Sequence, residues 1–216
     1  MAERPVFIPV EQGGLLVREV SFAFAWHPGF APSQKKKNLA ALHEAAAAEG
    51  YSPLLEVSSK SDQELGELLS AFNLKLEAGA VETSVESAFQ ASKVFERGGP
   101  FDDLILAGSR EAKRDPRLKA SGRLIGFRFQ GQDYPLSPRT VFYDWLYLNA
   151  LRRREDWLAQ LEGFAGFTDI EFNPKRSLNC QARSCATALA LRKRGIFEDA
   201  LASFEAFWSR LQASEV

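Results

Sequence analysis

Thr83-Ser84-Val85-Glu86-Ser87-Ala88-Phe89-Gln90-Ala91-Ser92-Lys93-Val94-Phe95-Glu96 is the stretch around which the chain is organised. Two hydroxyl residues suited to an N-cap open it, and good helix formers follow. Gly98-Gly99-Pro100 cannot continue a helix, so the pattern predicts one helix across the stretch. At 100° per residue, Val85, Ala88, Ser92 and Phe95 share one side of that helix. Glu86, Gln90 and Lys93 gather within roughly 60° on another arc, with Phe89 at its border. An acid, an amide and an amine projecting together either charge an active site or form a solvated stripe. Thr83-x-x-Glu86 also fits a capping box, in which Glu86 only closes the helix end.

The 216 residues suit a single domain spanning residues 1–216. With 45% apolar and 25% charged residues the chain is an ordinary globular one, not a disordered one. Lys plus Arg is 27 against 28 Asp plus Glu, so there is no general attraction to nucleic acid and any such contact needs a local patch. Arg110, Lys113, Arg114, Arg117, Lys119 and Arg123 form one basic cluster, and Arg152, Arg153 and Arg154 another. Cys180 and Cys185 fall in a predicted helix at a spacing unsuited to a disulfide, and the two histidines lie far apart. A reduced, cytoplasmic protein without structural zinc is expected. The N-terminus has no signal-peptide pattern, and no run of eighteen apolar residues would span a membrane.

Outward from the central stretch, Val20, Phe22, Phe24 and Trp26 alternate as a strand that His27-Pro28-Gly29 ends. A helix over about 34–49 follows Pro32-Ser33, with Leu39, Leu42 and Ala46 inward and Lys35-Lys36-Lys37 exposed in its first turn. Leu54-Leu55-Glu56-Val57 is a short strand leading into Ser58-Ser59-Lys60-Ser61. That turn suits either a phosphate contact or the N-cap of a helix over 62–69. Phe101 to Lys119 reads as helical with a break near Pro116, and Leu124–Leu136 as two strands about a turn. Ser137-Pro138 predicts a helix start, with Val141, Phe142, Trp145, Leu148 and Leu151 buried. Phe167–Phe172 alternates as a strand whose one face carries Asp169 and Glu171. Asn179 is a predicted N-cap for a helix over 180–194, and a last helix runs over 197–211. These elements predict an α+β fold in which helices dominate.

Leu69-Ser70-Ala71-Phe72 followed by Ser84-Val85-Glu86-Ser87-Ala88-Phe89-Gln90-Ala91-Ser92-Lys93-Val94-Phe95 resembles the Phe-Ser-x-Phe and Ser-x-Glu-His-x-Phe-Gln-x-x-Lys-Phe signatures of the NADAR family, the NAD- and ADP-ribose-associated domains. Asp144-Trp145 is similar to the family's Asp-Trp pair, and Asp169 with Asn179 to its later Asp … Asn segment. The resemblance covers roughly residues 55–195. Ser87 stands where the signature usually has His, and Asp169-Ile170-Glu171-Phe172 replaces its Trp-Gly pair. Ser58-Ser59-Lys60-Ser61 and the 167–174 segment resemble the branch paired as antitoxins with DNA ADP-ribosyltransferase toxins.

The resemblance implies a single NADAR-like domain, predominantly helical around a small sheet. It also implies an ADP-ribosyl glycohydrolase that removes ADP-ribose from guanine bases in DNA. The implied partners are ADP-ribosylated DNA and a cognate toxin, with no metal and no cofactor. Two alternatives stand beside it: an N-glycosidase acting on a riboflavin-pathway nucleotide, and an antitoxin that binds its toxin without catalysis. Cleaving an N-glycosidic bond builds positive charge at the anomeric carbon, which a carboxylate stabilises. Glu86 is the first candidate, Asp169 the second and Glu171 the reserve. Lys93 would hold Glu86 ionised and position ribose hydroxyls, or attack the opened ribose as an amine through a Schiff base. Direct hydrolysis ranks first, because a sequence does not reveal a depressed lysine. Lys60, Ser70, Asn73, Arg110, Arg139 and Asn179 would hold the ribose and diphosphate. Phe72, Gln90 and Asp144 complete the implied site, and Trp145 either stacks on a base or belongs to the core.

Overall fold

The computed structural model describes residues 1–29, 31–138, 140–174 and 179–214. The fold is α+β, 44% helical and 21% strand, so helices outweigh the small sheets as expected. In chain order the first part carries β1 (Ala2–Pro9), β2 (Val17–Phe24), α1 (Pro32–Ala48), β3 (Leu54–Glu56) and α2 (Glu64–Leu68). The middle part carries β4 (Lys75–Ala78), β5 (Val81–Ser84), α3 (Val85–Ala91), β6 (Lys93–Phe95), α4 (Ser109–Arg114) and α5 (Arg117–Ala120). It ends with β7 (Leu124–Phe129), β8 (Gln132–Tyr134) and α6 (Val141–Arg152). The last part carries α7 (Glu155–Gln160), β9 (Gly166–Thr168), α8 (Gln181–Lys193), α9 (Phe197–Ala200) and α10 (Phe204–Ser214). The chain divides into two compact units: residues 1–70 with 154–216, and residues 71–153.

The first unit is built on a four-stranded sheet in the order β2-β1-β9-β3. β1 and β2 pair antiparallel from Ala2↔Phe24 to Pro9↔Val17, and β3 runs parallel to β9. Val6, Phe22, Phe24, Leu42, Ala46 and Ile170 close its core, with α1 supplying Leu42 and Ala46 as its pattern predicts. α8 buries the small residues Ala182, Cys185, Ala186 and Ala190, and both cysteines are buried and free. β1 escapes the sequence reading because Pro5 and Pro9 argue against an interior strand. They are tolerated because β1 meets β9 only at Phe7↔Phe167.

Several local expectations for this unit change. β9 stops at Thr168, and 169–172 forms a turn in which the Phe172 amide donates to the Asp169 carbonyl at 3.0 Å. Asp169 and Glu171 therefore do not share a strand face. Asn179 is not the cap of α8. Cys180 holds that position without a side-chain bond, and Asn179 Oδ1 is buried with no partner among the described residues. Gln63, not a serine, precedes α2. Lys35 is not exposed, because its side chain pairs with Glu171 at 2.7 Å. The last helix is two, α9 and α10, separated at 201–203.

The second unit holds the hairpin β4–β5 and an antiparallel three-stranded sheet β6-β7-β8. Gln130 and Gly131, at φ 51° and 78°, make the two-residue turn between β7 and β8. Phe89, Phe127, Phe142, Tyr134 and Tyr143 form an aromatic core, with Phe127 and Phe142 stacked at 4.7 Å and Tyr143 edge-on to Phe89 at 5.2 Å. α6 begins at Val141, three residues beyond the Ser137-Pro138 start. The 101–120 stretch is a 3-10 turn at Asp102–Ile105 followed by α4 and α5, with the expected break at Pro116.

The central stretch is the largest correction. α3 spans only Val85–Ala91, and Lys93-Val94-Phe95 is a strand paired with β7 through Lys93↔Phe127 and Val94↔Gly126. The helix ends because Ser92 turns its hydroxyl back onto the Ala88 carbonyl at 2.7 Å while its own carbonyl accepts from the Arg128 amide. The β-branched and aromatic pair Val94 and Phe95 then suits a pleated ladder. Gly98-Gly99 is less a helix stop than a close approach. A Cβ on Gly99, at φ 83°, would sit 2.1 Å from the Lys93 carbonyl oxygen.

Candidate functional site

All seven residues of α3 are buried, so the arc carrying Glu86 and Gln90 is not a solvated stripe. Ser84 caps the helix by accepting from the Ser87 amide at 3.0 Å. Thr83 donates to the Ile105 carbonyl instead, and the Glu86 amide goes to the Ala71 carbonyl. The capping box is therefore absent and the Glu86 carboxylate is left for other partners. Its Oε1 accepts from Gln90 Nε2 at 2.9 Å, and Gln90 Oε1 accepts from Lys93 Nζ at 2.7 Å. Lys113 of α4 approaches the same Oε1 at 3.4 Å. Oε2 has no hydrogen-bond partner among the described residues.

Acid, amide and amine thus form one chain even though Lys93 lies beyond the helix. Each lysine also rests on a ring: Lys93 Nζ is 4.7 Å from the Phe89 centroid and Lys113 Nζ is 5.0 Å from that of Phe72. Burial lowers the Lys93 ammonium to about 8, the Glu86 charge opposing and the Lys113 charge adding to the effect. A Lys93 so placed is partly neutral at physiological pH. A neutral amine is a nucleophile, as an ammonium is not.

The first unit holds a second acidic cluster. Glu56 is fully buried, and its carboxylate accepts from Ser58 Oγ at 2.6 Å, Thr168 Oγ1 at 2.7 Å and the Ile170 amide at 2.9 Å. Thr168 Oγ1 is 2.9 Å from His43 Nε2, and with its own proton on Glu56 it accepts from the histidine. Burial pushes Glu56 above the ordinary carboxylate range and lowers His43 to about 4, so His43 is neutral. Asp169 is raised to about 8 by burial and by the Glu56 charge. Both its oxygens are engaged: Oδ1 takes the Glu171 and Phe172 amides and Oδ2 takes Gln181 Nε2 at 3.0 Å. Serines 58 and 61 close the local turn, accepting from the Lys60 and Gln63 amides.

Within the second unit, then, the structure brings together Glu86, Gln90 and Lys93, with Phe72 beneath Lys113. Asn73 and Arg110 are exposed there, Asp144 is buried on α6 and Trp145 is half-buried beside it. Within the first unit, Ser70 is buried at the end of α2 and Lys60 and Asn179 are half-buried. Glu171 is spent on Lys35. Arg139 lies outside the described residues. Sequence reasoning missed Lys113, Glu56, Thr168, His43 and Gln181 as members of these clusters. Glu56 carried a signal, a charge inside the apolar Leu54-Leu55-Glu56-Val57; Lys113 carried none. A cleft of about 260 Å³ also opens beside the start of α3, lined by Thr83, Ser84, Ser87 and Ser109. Ser87, which donates to the Ala107 carbonyl at 3.0 Å, serves that framework. Among the described residues no group of His, Cys, Asp and Glu has the placement of a metal site, and no helix is long and apolar enough to cross a membrane.

The fold is α+β, and the Ser84–Lys93 geometry gives its second unit a carboxylate–amide–amine chain. Residues 2–216 match the family model described as DarT1-associated NADAR antitoxin, and the chain belongs to that family. Membership carries an antitoxin role and implies a cognate toxin as partner. A search of curated proteins returns no match.

Proposed function

We propose that this antitoxin acts in the cytoplasm as an ADP-ribosyl glycohydrolase, removing ADP-ribose from guanine bases in DNA by cleaving the N-glycosidic bond. The observation that carries this reading is Lys93: an amine lowered to about 8, held by Gln90 and paired through it with a buried carboxylate. That environment favours the Schiff-base route over direct hydrolysis. The C1–O4′ bond of the distal ribose breaks as the guanine nitrogen forms a double bond to C1 and the ring oxygen takes a proton, and the Lys93 amine then adds to C1. The guanine amino group leaves with a proton, and a C1 imine to Lys93 remains. Water then hydrolyses the imine, returning the amine and releasing ADP-ribose. Glu86 carries the proton between the arriving amine and the leaving nitrogen, through the Oε2 that has no partner among the described residues. Gln90 fixes both side chains, and Asp169 serves its turn. The chemistry draws on neither metal nor redox cofactor.

The test is incubation with a guanine-ADP-ribosylated oligonucleotide, following free ADP-ribose. Release by the wild type and none by Glu86→Gln supports the reading. Cells protected equally by Glu86→Gln and wild type would show instead that the antitoxin neutralises its toxin by contact. Release confined to a small phosphorylated nucleotide would favour the riboflavin-pathway substrate.

A further inference from the structure

We infer that the exposed face of α4, formed by Arg110, Lys113 and Arg114, is the track on which the phosphodiester backbone of the DNA lies. This rests on the reading above and adds to it the surface that holds the polymer. The first observation is charge distribution. Residues 110–123 hold six Lys and Arg against Glu111 and Asp115, a net of +4; the whole chain is −1, so the rest carries −5. The chain offers a polyanion this stretch and 175–194, where Arg192 and Lys193 are already paired with Glu155, Glu162 and Glu11.

The second observation separates available cations from spent ones. Arg117 is locked to Asp103 at 2.6 Å and Asp115 at 2.9 Å, and Arg123 to Glu96 at 3.1 Å. Of the other basic cluster, Arg153 pairs with Glu77 and Arg154 lies over the Trp157 ring. Arg110 and Arg114 are exposed and have no ion-pair partner among the described residues. Four positions apart on α4, they lie on one side of it, and Lys113, three from Arg110, joins them.

The third observation ties this face to the chemistry. Lys113 belongs to both: its side chain is 55% exposed, yet its Nζ reaches Glu86 at 3.4 Å. A base presented to Lys93 therefore has its neighbouring phosphates beside α4. Guanidinium groups suit phosphate oxygens through paired donors, and contacts of this kind position a strand without reading its sequence.

The test uses an unmodified single-stranded oligonucleotide and fluorescence anisotropy over a range of salt. Three phosphate contacts at about 0.7 each predict a slope of log K against log salt near −2 for the wild type. The double variant Arg110→Glu/Arg114→Glu should bind at least about tenfold more weakly with a shallower slope. Equal affinity and slope in wild type and variant, or no binding by the wild type at low salt, overturns the inference. A second readout compares turnover of an ADP-ribosylated oligonucleotide with that of ADP-ribosylated guanosine. The ratio of the two rates should fall about tenfold in the variant. An equal loss on both substrates would mean that the arginines hold the diphosphate of ADP-ribose, and would also overturn it. If the wild type turns over neither substrate, the glycohydrolase reading fails while the binding comparison still decides this one.

Discussion

Glu56 and Glu86 are both buried carboxylates, one in each unit of the chain, and their partners differ in kind. Glu56 is met by two short hydroxyls and a backbone amide, all fixed by the strand ends that carry them. Glu86 is met by a glutamine and a lysine on flexible stems, and its second oxygen has no partner among the described residues. Removing a carboxylate from water costs several kcal/mol, and hydrogen bonds to a charged group return about 1.5–3 kcal/mol each. Glu56 spends its whole capacity on architecture, tying β3 to the 168–170 turn. Glu86 keeps capacity in reserve, as a group that must bind something else does. Each cluster also leans on a glycine: a Cβ on Gly66 would lie 2.0 Å from the Glu56 carbonyl oxygen, as one on Gly99 would crowd Lys93.

The sharpest break in this comparison would come from activity. Lys93→Ala should lower release of ADP-ribose by about 10²–10⁴-fold, the usual loss for a positioned acid–base or nucleophilic group. Asp169→Asn, which keeps an acceptor for the Glu171 and Phe172 amides, should stay within about threefold of wild type. Equal losses in the two variants would erase the distinction drawn between the units.

Stability should show the reverse ranking. Glu56→Ala strands three buried donors and should cost roughly 3 kcal/mol or more in denaturant unfolding. Glu86→Gln, which keeps volume and an acceptor for Gln90, should cost about 1 kcal/mol or less.

The pH profile sharpens the role of Lys93. With its ammonium lowered to about 8, kcat/KM should rise about tenfold between pH 7 and pH 9 as the neutral amine accumulates. Lys113 pushes that value down, so Lys113→Met should move the midpoint to higher pH. A midpoint that does not move would exclude Lys113 from the electrostatics of the site.

The smallest effect belongs to His43, folded at about 4 against 6.5 when free. The unfolded chain binds the proton first, so this contribution to stability is complete above 6.5 and is lost as pH falls toward 4. His43→Gln cannot take up a proton, so the difference in stability between wild type and variant should shrink only across that window. A constant difference from pH 7 to pH 4 would count against a buried neutral His43.

Where local pattern and tertiary environment agree, the fold was legible in the chain itself. The inward residues of α1, the turn between β7 and β8 and the helix α8 follow from spacing and turn chemistry alone. The central stretch was legible in its chemistry but not in its shape. Glu86, Gln90 and Lys93 do meet, yet they meet because a short helix hands over to a strand whose partner, β7, is paired at Lys93↔Phe127 and Phe95↔Leu124, far along the chain. Helical periodicity carries no trace of that partner. The acidic alternation at 167–172 failed for a related reason: the Asp169 side chain captures the next amides and bends the chain before a strand face can form. Lys113 was invisible because its role comes from where α4 packs.

Borohydride trapping decides whether Lys93 forms an imine with the sugar. With ADP-ribosylated oligonucleotide and reductant present, intact-protein mass and peptide mapping should find ADP-ribose fixed to Lys93, and no adduct in Lys93→Arg. Full product release by the wild type with no adduct, or an adduct on a different lysine, would contradict an imine at Lys93.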